Sequence, residues 1–253
     1  MTEDILVGGW HSALMALERN PHLCREIWLL SNENKSSFIE REAVIATAGL
    51  RPQFVDRKTL TKIYGGDGHH GVVLKRKLPN LTPLKEFLNN LGDKKRKNPL
   101  ILVLDRIQDP GNFGACLRVA ACAGADAVIY PNNNSAQITS TVAQAASGAL
   151  DVLKLVRVPN VANALRELSK IGVWLIGSAE EGDRSLYDID FSLSTAIIVG
   201  NEGSGIRELT RNLCDIVVSL PSGGELSSLN VSNAATVLIY EALRQRISSS
   251  EMS

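Results

Sequence analysis

Short apolar runs recur through the second part of the chain, and polar residues return after each of them. The runs are LILVLD, AVIYP, LKLVRV, VWLIGSA, TAIIVG and DIVVSLP. Each has the length of a strand, and several of the intervening segments have helical character. Continuous apolar strands that alternate with helices predict a mostly parallel sheet covered on both faces. In such a sheet, ligands bind beyond the carboxyl ends of the strands.

The pattern is more mixed before residue 98. HSALMALERN has helical spacing, REIWLL predicts a short strand, SFIEREAVIATAGL predicts a second helix that stops near Gly49, and GVVLKRK predicts a final strand. Two prolines, a short amphipathic helix and the basic run from Lys94 to Lys97 follow, and this composition is typical of a linker. We therefore predict an α/β domain over residues 1–78, a linker over 79–98 and a second α/β domain over 99–253.

The composition is that of a soluble globular protein, with 44% hydrophobic and 21% charged residues in a chain of 253. No apolar run reaches the roughly 18 residues that a membrane span needs, and the N-terminus carries acids where a secretory signal carries bases. These features predict a cytoplasmic protein without a membrane segment. The four cysteines form no C-x-x-C pair and no histidine stands at zinc spacing from them, which predicts buried free thiols and no metal.

The net charge of zero hides an asymmetry between the two parts of the chain. Residues 1–98 contain 16 Lys and Arg against 11 Asp and Glu, whereas residues 99–253 contain 11 against 16. A basic first part suits an anionic polymer, because neutralised phosphates supply most non-specific affinity for nucleic acids. A solvated basic face explains the same excess equally well.

Three loops at predicted strand ends carry candidate chemistry, and the first is LDRIQDPGNFGACLR. A helix begins there near Asn112, which is a good N-cap candidate, and Gly111 permits a sharp entry. Arg118 lies outside the apolar stripe of this helix, which contains Phe113 and Leu117. It is either a surface arginine or a functional one.

The second loop, IIVGNEGSGIREL, has glycines at positions 200, 203 and 205. This order is the reverse of the G-x-G-x-x-G dinucleotide fingerprint, which counts against a nicotinamide dehydrogenase. The third loop, LPSGGELSSLNVSNAATVLIYEALRQR, opens a long helix near Leu229 and Asn230. It has more polar side chains than helix capping requires, so some of them are expected to face a ligand.

Taken together, these three loops resemble the three motifs, in order, of the SPOUT superfamily of RNA methyltransferases, in the branch that methylates ribose 2′-hydroxyls. GGWHSALMAL and GHHGVVLK also resemble N-terminal segments of this family, although His70 stands where glutamine is commoner. The resemblance spans nearly the whole chain. It is strongest to the bacterial enzymes that modify a guanosine of 23S rRNA, in which a domain similar to ribosomal protein L30e precedes the catalytic domain.

The resemblance implies a C-terminal parallel sheet with a trefoil knot, in which S-adenosylmethionine is bound by the knotted loops. It also implies a homodimer in which both subunits build the site. The residues implied in cofactor binding are Val199, Gly200, Asn201, Gly203, Leu220, Pro221 and Leu229. The residues implied in catalysis are Arg118, Asn112, Glu202, Ser228 and Asn230. His11 and Arg118 are implied in binding the RNA substrate.

Methyl transfer to a ribose oxygen requires alignment of that oxygen and removal of its proton. Arginine stays protonated in nearly every protein environment, so a general-base role for Arg118 is disfavoured. We expect Arg118 to bind a substrate phosphate and to stabilise the developing oxyanion. Two alternatives to a 23S rRNA methyltransferase stay open, namely a tRNA-directed relative and a non-catalytic RNA-binding protein of the same fold.

Overall fold

A computed structural model describes residues 4–31, 35–92, 98–225 and 228–251. The basic run at 94–97 and Ser227 lie outside the described residues. The contacts divide the chain into two compact units. Unit 1 comprises Met1–Asn80 and Gln137–Val152, and unit 2 comprises Leu81–Ala136 and Leu153–Ser253. Within the described part of the chain, no helix has the length and apolar character needed to cross a membrane.

The strands are numbered in chain order. They are β1 (Ile5–Gly8), β2 (Cys24–Leu30), β3 (Pro52–Val55), β4 (Val72–Arg76), β5 (Leu100–Asp105), β6 (Ala127–Pro131), β7 (Leu155–Val158), β8 (Trp174–Ser178), β9 (Arg184–Ser185), β10 (Thr195–Gly200) and β11 (Ile216–Ser219). The helices are α1 (Trp10–Arg19), α2 (Lys35–Thr47), α3 (Arg57–Tyr64), α4 (Leu84–Gly92), α5 (Pro110–Cys122), α6 (Ser140–Ala146), α7 (Val161–Lys170), α8 (Glu208–Arg211) and α9 (Val231–Glu251).

Unit 1 is built on a four-stranded sheet in the order β1-β4-β2-β3. Strand β4 pairs antiparallel with β1 and β2, and β2 pairs parallel with β3. The two helices and two strands predicted for this region correspond to α1, α2, β2 and β4. The sequence pattern missed β1, β3 and α3, because β1 and β3 have only four residues each and show no clear alternation.

The segment from Gln137 to Val152 belongs to unit 1, although it lies far from the rest of that unit in sequence. The backbone N–H of Leu6 in β1 donates to Ser140 Oγ at 3.1 Å. Asp151 accepts two hydrogen bonds from Arg76 Nη1, at 2.6 and 2.5 Å, and a third from Asn20 Nδ2 at 2.8 Å. The Arg76 and Asp151 side chains are 1% and 2% exposed, so this ion pair is buried within the unit.

Unit 2 contains a seven-stranded sheet in the order β7-β6-β5-β10-β8-β11-β9, and every pair in it is parallel. Ile101 and Val103 of β5 belong to a buried cluster that also includes Phe87 of α4 and residues of α7. Successive residues of a strand point to opposite faces, and Leu102 and Leu104 are fully buried outside that cluster. The sheet is therefore covered on both faces, which confirms the predicted fold class.

Helix α4 lies in the stretch predicted as a linker. Its residue Phe87 is 1% exposed and packs in the core of unit 2, with Leu84, Leu88 and Leu91 against the same cluster. The described part of this stretch thus contributes a core helix to unit 2. The domain boundaries at residues 78 and 98 stay a prediction.

The four cysteines are free thiols, but they differ in burial. Cys24 and Cys116 are buried, as expected, and Cys214 is partly buried. The expectation is wrong for Cys122, which is exposed at the last position of α5. It lies six positions after Cys116, and at about 100° per residue this places it on a different side of the helix.

Candidate functional site

A cavity of about 740 Å³ lies among the loops that follow strands β8, β10 and β11 of unit 2. This position agrees with the expectation that ligands bind beyond the carboxyl ends of parallel strands. Apolar side chains, backbone groups of the glycine loop and a few polar side chains line it. All seven residues predicted to hold a cofactor are among them, namely Val199, Gly200, Asn201, Gly203, Leu220, Pro221 and Leu229.

The glycine loop after β10 folds back so closely that Gly200 has no room for a side chain. A Cβ at Gly200 would lie 2.1 Å from the carbonyl carbon of Gly205. Asn201 and Gly205 exchange two backbone hydrogen bonds, of 3.0 and 2.8 Å, and Gly205 has φ +63°. The first and last glycines are thus required by a close approach and by a left-handed turn, respectively. This geometry accounts for the glycines at positions 200 and 205 of the loop.

The side chain of Asn201 braces this loop from within the protein. Its Nδ2 donates to the carbonyl oxygen of Arg106 at 3.2 Å, and its Oδ1 accepts from the N–H of Gly203 at 3.0 Å. Both ends of the amide are therefore used in holding the loop against the end of β5. Asn201 shapes the cavity wall through its side chain.

A buried carboxylate anchors the far side of the same loop. Asp105, at the end of β5, is 1% exposed. It accepts from Arg207 Nε at 3.0 Å and from Thr210 Oγ1 at 2.7 Å, and Arg207 Nη2 lies 2.7 Å from its Oδ1. The guanidinium and the hydroxyl compensate the desolvation of the buried charge. Sequence reasoning missed this cluster, because 102 positions separate Asp105 from Arg207.

A chain of polar side chains joins all three loops. Asn112 Nδ2 donates to Glu202 Oε1 at 2.8 Å, and Asn230 Nδ2 donates to Asn112 Oδ1 at 3.0 Å. Asn230 Oδ1 in turn accepts from the N–H of Ser232 at 2.9 Å. A backbone N–H can only donate, and a carboxylate can only accept. Glu202 at one end of this row of hydrogen bonds and the N–H of Ser232 at the other end therefore fix the orientation of both asparagine amides.

Asp109, and not Asn112, caps the helix of the first loop. Asp109 Oδ1 accepts from the N–H of Asn112 at 2.7 Å, and Pro110 occupies the first helical position. Proline is favoured there because the first helical N–H has no partner within the helix. The expectation that Asn112 is the N-cap was wrong, and its side chain is consequently available for Glu202. The carboxylate of Glu202 also lies near the positive end of the α5 dipole.

The remaining predicted site residues are all exposed. Ser228 lines the cavity together with Glu202. Arg118 lies on α5, six residues and about 120° round the helix from Asn112. Among the described residues, no side chain is hydrogen-bonded or ion-paired with Arg118. His11 is exposed on α1 of unit 1.

The cavity also has lining residues that sequence reasoning did not select, including Glu180, Glu181 and Arg211. They follow β8 or lie in α8, and Arg211 Nη2 donates to the carbonyl of Glu181 at 2.8 Å. A Cβ at Gly182 would lie 2.3 Å from the backbone at Val218 and Ser219. Ligands bind beyond the carboxyl ends of parallel strands, and β8 is one of these strands. The same expectation, applied to the loop after β8, would have identified Glu180 and Glu181.

Burial holds one titratable group near the polar chain in its neutral form. Burial raises the pKa of the Cys116 thiol to about 12, and the negative charge of Glu202 contributes to this rise. Cys116 is therefore protonated at neutral pH and unsuited to act as a nucleophile. Across the described ranges, no three His, Cys, Asp or Glu side chains are grouped so as to hold a metal ion.

Comparison with known proteins matches both parts of the chain. Residues 99–240 match the SpoU rRNA methylase family, and residues 6–81 match the substrate-binding domain of RNA 2′-O ribose methyltransferases. The chain belongs to the SpoU rRNA methylase family. The first match covers more than half of the chain and contains the cavity loops and the whole polar chain. The earlier resemblance is thereby confirmed.

Similar SpoU relatives match nearly the whole length of the chain. The 23S rRNA (guanosine-2′-O-)-methyltransferase RlmB of Ralstonia nicotianae is 41% identical over 97% of this chain and 98% of its own. The enzyme of the same name from Vibrio vulnificus is 38% identical over 95% and 97%. The solved SpoU methyltransferase AviRb from Streptomyces viridochromogenes, in complex with the cofactor AdoMet, is 30% identical with a TM-score of 0.78, over 97% of this chain and 91% of its own.

The close approach at Gly200 makes a stability prediction for this SpoU chain. We expect Gly200→Ala to lower the free energy of unfolding by about 1–3 kcal/mol, because the new methyl group must displace the backbone at Gly205. Urea unfolding measures this change. Gly203→Ala is the matched control, since its Cβ would meet only Asn201 Oδ1, at 3.6 Å. Equal stability of the two variants would contradict the assigned crowding.

Proposed function

We propose that this protein transfers a methyl group from S-adenosylmethionine to the 2′-hydroxyl of a guanosine ribose in 23S rRNA. The near full-length similarity to enzymes named for this reaction supports the proposal. The observation that carries it is a cavity among the loops after β8, β10 and β11, beside a polar chain that joins two of these loops to the loop after β5. A cofactor site and a substrate-positioning group would thus lie side by side.

The cavity fits S-adenosylmethionine in size and lining. Its volume of about 740 Å³ is within the range of roughly 300–1,000 Å³ that is usual for small-molecule sites. Gly200, Gly203 and Gly205 of the glycine loop line its wall, so part of that wall is formed by backbone without a side chain. We assign cofactor binding to the seven predicted residues from Val199 to Leu229. When bound, S-adenosylmethionine supplies a methyl group on a sulfonium with a strong leaving group.

The chain from Glu202 through Asn112 to Asn230 positions the reacting ribose in this proposal. Amide groups do not titrate near neutral pH, so the two asparagines hold geometry and do not act as bases. Their orientation is set in advance, and correct alignment of reactants contributes several kcal/mol to catalysis. Ser228 adds a hydroxyl to the same region of the cavity.

Arg118 is assigned to the substrate phosphate and to the developing oxyanion. Its guanidinium is exposed on α5 and has planar donors that match a phosphate in two-pronged geometry. It stays charged throughout, so the proton of the 2′-hydroxyl passes to the phosphate or to water. His11 is assigned to RNA binding within the N-terminal domain.

Arg118→Lys tests this role. We expect turnover to fall by about tenfold or more, because lysine keeps the charge but cannot reproduce the two-pronged contact. Steady-state methylation of 23S rRNA measures turnover. Arg166→Lys, on the exposed side of α7, is the matched control and should leave turnover unchanged. Near-normal turnover of Arg118→Lys would contradict the assigned contact.

We also propose a homodimer in which Arg118 of one subunit serves the polar chain of the other. Arg118 has no partner among the described residues of its own chain, and it lies about 120° round α5 from Asn112. Helix α9 packs against α5 and exposes Tyr240 and Ile247, whose 45% and 49% exposure gives apolar surface for a second copy.

Complementation between two inactive variants tests the shared site. Arg118→Ala and Glu202→Ala are each expected to be inactive, whereas their coexpression should restore about a quarter of normal activity. In a two-fold symmetric dimer, about half of the assemblies are mixed, and each mixed dimer has one intact site. Coexpression without any restored activity would show that each site draws both residues from one chain.

The chain also has a domain organisation and a cellular location in this proposal. We propose that residues 1–78 form an RNA-binding domain similar to ribosomal protein L30e and 99–253 a catalytic domain with a trefoil knot, and that the predicted linker 79–98 carries helix α4 of the catalytic core. The protein acts in the cytoplasm, where its rRNA substrate is made. A chain-tracing test of knotting and a fractionation experiment would check these statements.

Methyl transfer to two RNA classes in parallel tests the main proposal. Purified protein is incubated with labelled S-adenosylmethionine and either unmodified 23S rRNA or bulk tRNA, and the labelled nucleosides are identified. We expect 2′-O-methylguanosine from 23S rRNA alone. Label in tRNA would instead favour the tRNA-directed enzyme. Measurable cofactor binding without any label in either RNA would favour a non-catalytic RNA-binding protein.

A further inference from the structure

Arg106 adopts a backbone conformation that L-residues with long side chains rarely take. Its φ is +68°, in the left-handed region that favours glycine. The other non-glycine residues described with positive φ are His70, Asn98, Asn134 and Ser147. Asparagine and histidine are enriched in this region, and a short polar side chain can hydrogen-bond locally there. Arginine has no comparable compensation, so its presence at this turn needs a separate explanation.

The surrounding contacts explain the left-handed backbone turn at position 106, but not why its side chain is that of arginine. The carbonyl of Arg106 accepts from Asn201 Nδ2, and the preceding Asp105 is held by Arg207 and Thr210. The following carbonyl, of Ile107, accepts from the N–H of Ala136 at 2.8 Å. Of these contacts, the one at residue 106 uses its backbone carbonyl and the others belong to residues 105 and 107, so glycine at 106 would allow them all with less strain.

The backbone of Arg106 lies against the glycine loop of the candidate site, through the hydrogen bond between its carbonyl and Asn201 Nδ2. Gly200 and Asp105 are partners in the β5–β10 register, so Arg106 directly follows β5 beside the glycine loop. Three residues later, Asp109 caps the helix that presents Asn112. Within the described ranges, no hydrogen bond or ion pair holds the guanidinium of Arg106, and the residue is partly exposed.

We propose that Arg106 binds a backbone phosphate of the RNA next to the methylated ribose. A guanidinium that is partly exposed and always charged is suited to two-pronged contact with a phosphate. Backbone strain that persists beside an active site indicates a functional constraint. This inference rests on the proposed function, since it supplies a second cation for the same RNA strand. Arg106 lies within the first of the three loops, but the sequence pattern did not predict a role for it.

Salt-dependent binding separates this role from a structural one. Binding of purified 23S rRNA is measured between about 50 and 200 mM salt for Arg106→Gly, Arg106→Lys and the wild type. We expect Arg106→Gly to weaken binding about tenfold and to reduce the slope of log affinity against log salt by about 1. Arg106→Lys keeps the charge and should keep the slope. Arg166→Ala, which removes an exposed arginine of α7, is the matched control.

Stability measurements exclude a trivial loss of folding. Because glycine relieves the left-handed conformation, the melting temperature of Arg106→Gly should equal or exceed that of the wild type. Its affinity for S-adenosylmethionine should be unchanged. An unchanged salt slope, or a lowered melting temperature that accounts for the weaker binding, would overturn the proposal. If the wild type methylates 23S rRNA while the slope is unchanged, only the role of Arg106 fails; absence of methylation by the wild type rejects the proposed function itself.

Discussion

The site depends on one steric constraint, the passage of the backbone at Gly205 against Gly200. With a Cβ position only 2.1 Å from the Gly205 carbonyl carbon, the chain after β10 can turn in this way only with glycine at 200. The turn fixes Asn201, which braces the end of β5, and it directs Glu202 to Asn112. The cavity wall and the polar chain are thus two consequences of the same backbone contact.

The parallel sheet could be predicted from the sequence because its strands are buried on both faces and so read as continuous apolar runs. Hydrophobic pattern was less informative in unit 1, where four-residue strands such as PQFV give almost no periodic signal. The pairing of Asn112 with Glu202 spans 90 positions, and only the fold brings them together. The N-cap of α5 was predicted wrongly because Asp109 and Asn112 are both residue types that favour this position. Pro110 favours Asp109, because proline is preferred at the first helical position, directly after the N-cap.

The two carboxylates that shape the site are each held by a specific partner. The buried carboxylate of Asp105 is compensated by Arg207, and Glu202 is linked to uncharged amides. Cys116, although close to Glu202, is kept protonated by burial. Such an arrangement suits a reaction in which the leaving group is already activated and the protein contributes mainly orientation and electrostatic stabilisation.

The buried pair of Arg76 and Asp151 constrains how this protein could have been assembled in evolution. The two residues come from separate stretches of the chain, one inside each of the two family matches, yet they share one core. Simple fusion of a foreign N-terminal module would leave Asp151 without its guanidinium, and an unpartnered buried charge costs about 3–5 kcal/mol. The N-terminal unit is therefore complete only when both stretches of the chain are present, and loss of either Arg76 or Asp151 alone would leave the other buried without its partner.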